Sequence, residues 1–511
     1  MFTSTSSNIV WTCAIFCLLL GAINPPSILA QESSPAVADS AETAKKLAHF
    51  LQLADSIREA ALIPGVGIAI VYKNEVIFTG GLGYRDLAQK LPITASTLFS
   101  IGSNTKAFTG VIAAQLVDEG LLEWETPLIH YIPELKLKED YVTRHVTIAD
   151  ALNHSTGLGR HDDIWKYNNL SREEILAALA DLDFSSSFRN SFNYNNLMYV
   201  VAGIAQERVT AQSWESLVEE RILKPLDMHN SFAYQAEFIN APERALGYQE
   251  DGVTIAPPVD LSGIAPAGSI SSTPKDIANW LHVLVNNGQH KGAAFLSESE
   301  YNYMLRPHSK LSIRNGDELW FYYTGLGGWE KDGKRVVGAD GAIDGMNSRT
   351  VMRLDEGFGI FIMTNKVSEY KRLIAEYAEN IFMEDNYERN HEFENALYNL
   401  VDFNAFQRIL LEEGQDQALA FYRTLAHKNF EGEMNALGYA LMRENMFELA
   451  LFVLELNTQE HPQSSNAFDS LGECYFLMEK YALSLKNYRK SLELDRSNGN
   501  AKMMIERIEK P

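Results

Sequence analysis

Ser103 and Lys106 are the residues whose types and spacing could support catalysis, since they place a hydroxyl and an amine three residues apart. Residues at i and i+3 share one face of a helix, so the amine can reach the hydroxyl oxygen. A serine hydroxyl becomes a good nucleophile when a neighbouring base removes its proton, and a lysine amine serves as that base when burial keeps it partly neutral. The pair therefore predicts nucleophilic catalysis at Ser103.

The helix that must position this pair begins at the pair itself. Apolar side chains occupy almost every face of residues 107–117, so the sequence predicts a buried helix with Ser103 in its first turn. The free N–H groups and the positive dipole at this end favour a developing oxyanion and oppose a charge on Lys106. The surroundings therefore favour the same chemistry as the spacing.

The Ser-x-x-Lys spacing occurs at two other places, where a structural interpretation is simpler. Residues 272–275 include Pro274 at a first helical position, which is typical of a capped helix N-terminus. Residues 368–371 open an amphipathic helix. Only Ser103 enters a helix that is apolar on all sides, and it is therefore the preferred nucleophile.

Length and composition indicate a folded, multi-domain protein: 511 residues with 46% hydrophobic side chains are enough for full-sized cores. The net charge of −23 argues against nucleic acid and anionic membrane surfaces as partners, because phosphate binding needs a basic footprint. The chain has no Gly-x-Ser-x-Gly elbow, His-Glu-x-x-His motif or phosphate-binding loop. We expect no cofactor.

Residues 1–30 have the features of an export signal. An apolar run at 9–23 is too short to span a bilayer comfortably and is followed by prolines and by Ala30, after which we expect cleavage. This segment lacks Lys and Arg before the apolar run, so an uncleaved anchor stays an alternative. With two of the three cysteines in this segment, the mature chain holds only Cys474 and no internal disulfide. The sequence predicts an exported protein, periplasmic or secreted, without a stable membrane span after cleavage.

The catalytic pair is expected in an α+β domain at 51–385, after a linker and the start of the first helix at 31–50. β-Branched and apolar runs predict a hairpin at 66–72 and 76–79, and a largely helical region follows between 121 and about 310. Strands at both ends around a helical insertion indicate one antiparallel sheet flanked by helices. The four short strands predicted after the insertion are 325–330, 335–337, 348–354 and 359–364.

Residues 386–511 are predicted to be an all-α repeat domain. Leu437-Gly438 and Leu471-Gly472 lie thirty-four residues apart, each opening a helical hairpin, and Pro462 ends the first. Residues 466–475 resemble the first helix of a tetratricopeptide repeat. Residues 403–428 are interpreted as a degenerate third repeat, and residues 501–508 as a capping helix. The alternative interpretation of the whole segment is a plain helical bundle.

Residues from 51 to about 384 resemble the serine β-lactamase-like superfamily, which includes class C β-lactamases, D-Ala-D-Ala peptidases and related esterases. Ser-x-x-Lys is one of its signatures, and residues 146–158 and 271–278 look like two further elements of that family. The resemblance implies a β-lactamase/transpeptidase-like fold and a serine hydrolase that acts on an amide or ester. The resemblance also implies a small-molecule or peptide substrate, and the fold does not choose among a β-lactam, a D-amino-acid peptide and a simple ester.

A second family motif, Tyr-x-Asn, occurs at 167–169 and again at 194–196. The second copy enters an apolar helix, as in the family, whereas the polar neighbours of Tyr167 indicate a surface loop. The resemblance assigns Tyr194 to catalysis, as a relay of the proton to the leaving group, and Asn196 to substrate binding.

The third family motif is Lys or His, any residue, then Gly, and here the sequence departs from it. The matching stretch reads Ala339, Asp340, Gly341 and Ala342, so the cation is missing. Residues 331–333 also match the Lys-x-Gly pattern, but their position between two predicted strands indicates a hairpin turn. The resemblance implies that Asp340, Gly341 and Ala342 bind substrate, with the Ala342 N–H completing an oxyanion hole with Ser103, which needs no side chain. Whether Ala339 abolishes activity is left open.

Two other interpretations follow from the sequence. Residues 161–163, His-Asp-Asp, could be metal ligands but are more simply a solvated loop, so we expect no metal. Trp165, Trp280, Trp320 and Trp329 are expected in the core or in a pocket wall.

The absence of a cation at Ala339 supports a rival function: a binding protein on a weakened hydrolase fold, whose repeats hold a peptide or protein partner.

Overall fold

The computed structural model describes residues 41–249, 252–314, 318–331, 334–343, 345–383, 391–425, 428, 430–496 and 498–509. The strands are β1 Gly65–Tyr72, β2 Glu75–Asp86, β3 Leu91–Pro92, β4 Phe99–Ser100, β5 Ser271–Ser272, β6 Gln289–His290, β7 Ala293–Ala294, β8 Ser309–Arg314, β9 Glu318–Tyr323, β10 Leu326–Lys331, β11 Lys334–Ile343, β12 Met346–Arg353 and β13 Phe358–Thr364.

The helices fall into two groups along the chain. Those of the first part are α1 Ala41–Ala60, α2 Thr105–Asp118, α3 Asp140–His145, α4 Ile148–Leu152, α5 Asp163–Lys166, α6 Arg172–Ala178, α7 Asn196–Thr210, α8 Trp214–Val218, α9 Gln235–Asn240, α10 Ala265–Gly268, α11 Pro274–Val285, α12 Glu298–Met304 and α13 Tyr370–Met383. Those of the last part are α14 His391–Glu412, α15 Gln415–Thr424, α16 Glu431–Arg443, α17 Phe447–Glu460, α18 Ser465–Leu477, α19 Tyr481–Leu494 and α20 Gly499–Glu509.

One nine-stranded sheet organises the first part of the chain, in the order β3-β2-β1-β13-β12-β11-β10-β9-β8. Every neighbouring pair in it is antiparallel. The early strand β1 lies against the late strand β13, with Val66 opposite Thr364. The predicted α+β class, with strands from both ends of the domain in one antiparallel sheet around a helical insertion, is confirmed.

The two faces of the sheet are covered by different helices, as the alternation along β1 requires. Ile68 and Ile70 point to a core shared with α1 and α13. Ala69 and Val71 point to a larger core on the opposite face, which includes α2 and α11. Helix α2 lies inside this larger core and packs against α7, α8, α10 and α12, which explains its apolar composition on all sides.

The strand predictions were incomplete: the two-residue strands β3 to β7 were missed, and so were parts of the longer strands. β2 continues to Asp86 instead of ending at Thr79, because its glycines allow close pairing with β1 as far as Gly83. β8 and β9 were missed, since β8 begins inside the region interpreted as helical. β11 runs to Ile343, well past the predicted end at Val337, and this extension carries the third-motif residues to the site.

In the described residues from 391 onward, the structure contains helices and no strand, which confirms the all-α C-terminal region. Gly438 and Gly472 have equivalent roles there: a Cβ atom would lie 2.6 Å from Leu454 in one case and 3.1 Å from Tyr488 in the other. Both glycines let paired helices approach closely. The tetratricopeptide assignment and the domain limits at 51–385 and 386–511 stay predictions.

Several predictions fall on residues outside those described: the signal peptide at 1–30, the linker at 31–40, residues 332–333 of the alternative Lys-x-Gly match, and the domain boundary at 385–386. None of the helices in the described ranges combines the length and the apolarity needed to cross a membrane.

Candidate active site

Ser103 lies in a single 3₁₀ turn, Gly102–Asn104, directly before α2. The side chain of Asn104 fastens this turn to β12. Its Nδ2 donates to Ser348 Oγ at 2.7 Å, and its Oδ1 accepts from Thr350 Oγ1 at 2.7 Å. The backbone that carries the serine is thus held in place by buried hydrogen bonds.

Lys106 projects from the first turn of α2 toward Ser103. Its Nζ donates to Ser103 Oγ at 3.1 Å and to the carbonyl oxygen of Ala267 at 2.8 Å. The side chain is only 1% exposed. Burial lowers the pKa of Lys106, although the neighbouring Tyr194 opposes part of that shift. A lowered pKa leaves more of the amine unprotonated, and only the unprotonated amine can accept a proton from a serine hydroxyl.

Tyr194 reaches the same oxygen from the start of α7. Its hydroxyl donates to Ser103 Oγ at 2.7 Å, and Lys106 Nζ lies 4.9 Å from the centre of its ring. Asn195 caps α7, since its Oδ1 accepts from the Met198 N–H at 2.9 Å. This cap fixes the chain immediately after Tyr194, so that an amine and a phenol converge on one serine oxygen.

Asn196 begins α7, and its side chain is held by the protein. Its Nδ2 donates to Asp162 Oδ1 at 2.9 Å, and the residue is 6% exposed. Trp165 Nε1 donates to the same carboxylate at 2.8 Å, and Arg160 pairs with it. Burial acts in the opposite direction, but these hydrogen bonds lower the pKa of Asp162. The role of Asn196 in substrate binding stays a prediction.

β11 brings the third-motif residues past the Ser103 turn. A Cβ atom at Gly341 would lie 2.0 Å from the carbonyl oxygen of Ile101, so only glycine fits there. The backbone of Ala342 lies against Gly102. This contact brings the backbone amides of Ser103 and Ala342 into the same region, as a two-donor oxyanion hole requires.

The carboxylate of Asp340 is surrounded by cations. Arg349 Nη1 donates to its Oδ2 at 2.8 Å and Arg372 Nη2 donates to the same oxygen at 3.2 Å. Lys371 Nζ lies 3.9 Å from Oδ1. The sequence predicted substrate contact for Asp340 but gave no sign of these partners, which come from β12 and α13.

A cavity of about 500 Å³ opens beside Ser103 and Lys106. Its walls combine aromatic rings, glycine backbone and the charged groups around Asp340. The described residues that line it with these two are Phe192, Tyr194, Trp320, Tyr322, Gly325, Gly327, Gly328, Trp329, Gly338, Ala339, Asp340, Arg349, Thr350 and Arg372. The half-buried Ala339 contributes only a methyl group where the family has a cation.

His154 is a buried neighbour of the site to which sequence reasoning gave no role. Its Nδ1 accepts from the Asn195 N–H at 3.0 Å, and its ring centre lies 4.5 Å from that of Tyr194. Burial, with a further contribution from Lys106, lowers the pKa of His154 well below its usual range. A neutral His154 therefore supports the Tyr194 segment. In the sequence, His154 lies in the family-like stretch at residues 146–158, but no pattern there indicates that it contacts Tyr194.

The competing motifs have structural roles. Thr273 caps α11 by accepting from the Asp276 N–H at 3.1 Å, as expected for residues 272–275. Tyr167 is 82% exposed. His161 Nε2 lies 2.8 Å from the carbonyl oxygen of Asp183. The part of the chain that the structure describes contains no group of three or more His, Cys, Asp and Glu side chains placed to hold a metal.

Comparison with known families agrees with this geometry. The beta-lactamase family model matches residues 50–380. The chain belongs to the beta-lactamase family. Protein flp of Staphylococcus aureus strain MW2 is 26% identical over 322 residues, which are 62% of this chain and 62% of that protein. Unguisins hydrolase ungD of Aspergillus violaceofuscus is 31% identical over 246 residues, 44% of this chain and 42% of that protein. This beta-lactamase-family chain thus spans less than two thirds of each relative.

Two solved structures share the fold. An octameric penicillin-binding protein homologue from Pyrococcus abyssi superposes with a TM-score of 0.60 at 24% identity, over 71% of this chain and 81% of that one. A D-stereospecific amidohydrolase from Streptomyces sp. gives 0.55 at 21% identity, over 65% and 98%. At these identities the likeness supports the beta-lactamase-family fold and nothing about substrate.

Proposed function

We propose that this chain is an exported serine hydrolase that cleaves an amide or ester through a covalent acyl-serine intermediate. The observation that carries the proposal is the convergence of Lys106 Nζ, at 3.1 Å, and Tyr194 OH, at 2.7 Å, on Ser103 Oγ. A nucleophile within hydrogen-bond reach of a base that burial tunes is the arrangement such catalysis needs. The hydrolase named among the relatives supports the same class.

The proposed reaction has two halves. Neutral Lys106 takes the proton of Ser103 as Oγ attacks the carbonyl carbon, and the Ser103 and Ala342 N–H groups stabilise the oxyanion. Tyr194 relays the proton from Lys106 to the leaving group as its bond to carbon breaks. Water then attacks the acyl-serine, the acid product leaves, and Ser103 regains its proton.

The test is intact-mass measurement of the purified protein after exposure to a fluorescent penicillin and, separately, to a fluorophosphonate. We expect an adduct that maps to Ser103 and is absent from Ser103→Ala. The reacting probe separates penicillin recognition from esterase-like behaviour. Absence of an adduct with both probes, or an unreduced hydrolysis rate in Ser103→Ala, would contradict the proposal.

Export is proposed from the apolar run at residues 9–23 and the cleavage site expected after Ala30. N-terminal sequencing of the protein recovered outside the cytoplasm should begin at Gln31. A chain that keeps its first residues in the membrane fraction would instead support the uncleaved anchor.

A second candidate is a binding protein on a weakened hydrolase fold, with a peptide or protein partner in the groove of the helical repeats. It is favoured by the uncharged Ala339 in the cavity wall. Substitution at Ala339, described below, separates it from the first candidate.

A further inference from the structure

Asp340 supplies a carboxylate to the cavity that also contains Ser103 and Lys106. That carboxylate is already paired with cations. Its Oδ2 accepts from Arg349 at 2.8 Å and from Arg372 at 3.2 Å. Both arginines line the same cavity, so the groups best suited to bind an anionic substrate are held by a side chain of the protein.

Strand register brings this carboxylate to Arg349. Asp340 of β11 lies directly opposite Arg349 of β12, and the arginine side chain is only 11% exposed. Its Nε is buried without a hydrogen-bond partner among the described residues. A guanidinium in this position needs a nearby acidic partner, and Asp340 is the one that accepts a hydrogen bond from Nη1 at the cavity. The carboxyl groups of Glu376 and Glu379 also interact electrostatically with Arg349.

Arg372 has a second acidic partner, which provides a comparison. Glu369 Oε2 lies 2.9 Å from Arg372 Nε, and Glu369 Oε1 lies 3.5 Å from Lys371 Nζ. The Glu369 side chain is 73% exposed, against 36% for Asp340. Asp340 therefore pairs with all three cations at the cavity, whereas Glu369 pairs only with Arg372 and Lys371, from the solvent side.

We propose that Asp340 determines the substrate class: its carboxylate occupies the Arg349 and Arg372 guanidinium groups, so the site selects acyl compounds without a carboxylate near the scissile bond. An anionic substrate must either displace Asp340 from these groups or lie beside a like charge, and both are unfavourable. This inference rests on the proposed hydrolase function.

The rest of the cavity fits uncharged substrates. Trp320 and Trp329 stack with ring centres 4.9 Å apart, and Phe192 adds a third apolar wall. A Cβ atom added at Gly327 would meet no neighbour nearer than 3.9 Å. The cavity wall at Gly327 therefore leaves space for a ring or an alkyl group of the substrate. Apolar walls with a few placed polar groups are usual in sites for neutral small molecules.

The experiment compares ester pairs that differ by one carboxylate. Phenyl acetate and 3-acetoxybenzoate differ in the leaving group; phenyl benzoate and phenyl hydrogen isophthalate differ in the acyl group. We expect the native chain to prefer the neutral member in at least one pair, and Asp340→Asn to lower that preference in kcat/KM by about tenfold, since the freed arginines can bind the anion.

Glu369→Gln is the matched control, because it removes the same unit charge from Arg372 and Lys371 on the exposed side. Its effect on the preference should stay within about twofold. Asp340→Thr, which is compatible with a strand, replaces Asp340→Asn if the latter fails to fold.

A binding measurement makes the result independent of turnover. In a Ser103→Ala background, dissociation constants of the same pairs are measured with and without Asp340→Asn, and the anion-to-neutral ratio should shift by the same roughly tenfold. An unchanged ratio, or a native chain that prefers the anionic esters, overturns the role of Asp340. Failure of Ser103 to form adducts overturns the hydrolase function alone, and the dissociation constants still decide the specificity.

Discussion

A Cβ atom on Gly102 would lie 2.9 Å from the backbone nitrogen of Ala342. Gly102 also has a φ of +52°, in the left-handed region that favours glycine. The turn that carries Ser103 thus packs against β11 through a residue without a side chain. This packing sets the separation of the two amides proposed as the oxyanion hole.

Gly102→Ala should therefore impair catalysis by moving the turn away from Ala342. We expect kcat/KM to fall by about tenfold or more, toward the roughly 10² to 10³-fold loss that follows removal of an oxyanion donor. Gly120→Ala is the control: it has a φ of +70° and nothing within 4 Å of the added carbon, so it carries the backbone strain without the clash. Equal losses of activity in both variants would contradict this account.

Lys106→Met should remove the base while preserving the fold. A thioether of similar length fills the buried space without the desolvation penalty of an ammonium, so the melting temperature should change little. We expect kcat to fall by about 10² to 10⁴-fold. Lys275→Met, at the exposed lysine of the other Ser-x-x-Lys sequence at the start of α11, should leave both quantities near native. A Lys106→Met enzyme with near-native kcat would exclude Lys106 as the base.

Tyr194→Phe should slow the enzyme by about a hundredfold or more, because the hydroxyl 2.7 Å from Ser103 Oγ is lost. The loss should be larger for an amide than for an activated 4-nitrophenyl ester, since only the amide leaving group must be protonated. The matched control is Tyr167→Phe, at the exposed Tyr-x-Asn sequence. Equal losses on both substrates would argue that Tyr194 positions Ser103 without relaying a proton.

Ala339→His tests whether the missing cation has weakened the enzyme. Because Ser103, Lys106 and Tyr194 are already connected by hydrogen bonds, we expect kcat/KM to change by less than about tenfold. A gain of about a hundredfold or more would show that the native site is a damaged one and would favour the binding-protein candidate. Ala339→Ser is the control, because it adds a polar group at the same position without a side chain that can become a cation.

The convergence of Lys106 and Tyr194 on Ser103 was predictable because its geometry is local or is carried by a motif. The i, i+3 spacing of Ser103 and Lys106 gives their contact directly, and the apolar run after them gives the burial that lowers the pKa of Lys106. The sheet followed from β-branched runs at both ends of the domain. The spacing, the apolar run and the β-branched runs each lie in the same short stretch of sequence as the contact, helix or strand that they predict.

The charged side of the cavity was not predictable from local patterns. Asp340 meets Arg349 through the register of two strands and Arg372 through the packing of α13, and neither is encoded by spacing along the chain. The contact of His154 with Tyr194 is equally remote in sequence. β8 and β9 were not predicted because β8 begins within a stretch that was interpreted as part of the helical insertion.

Glu379 provides a stability test on the opposite side of the sheet. Burial raises its pKa from 4.5 to about 7, although Arg353 lies 3.5 Å away and opposes the shift. Between these pH values the folded chain keeps a proton that the unfolded chain loses, so native stability should fall as pH rises through this range, by up to about 3 kcal/mol. Above that range the contribution is constant.

Glu379→Gln should remove this pH dependence because the amide cannot ionise. Relative to the native chain, the variant should gain melting temperature at pH 8 and gain little at pH 5, where the native carboxyl is protonated in the folded state. Glu356→Gln is the control, since Glu356 pairs with the same Arg353 at 3.2 Å from a more exposed position. A stability difference between Glu379→Gln and the native chain that is the same at both pH values would show that the ion pair with Arg353, and not burial of the charge, governs this site.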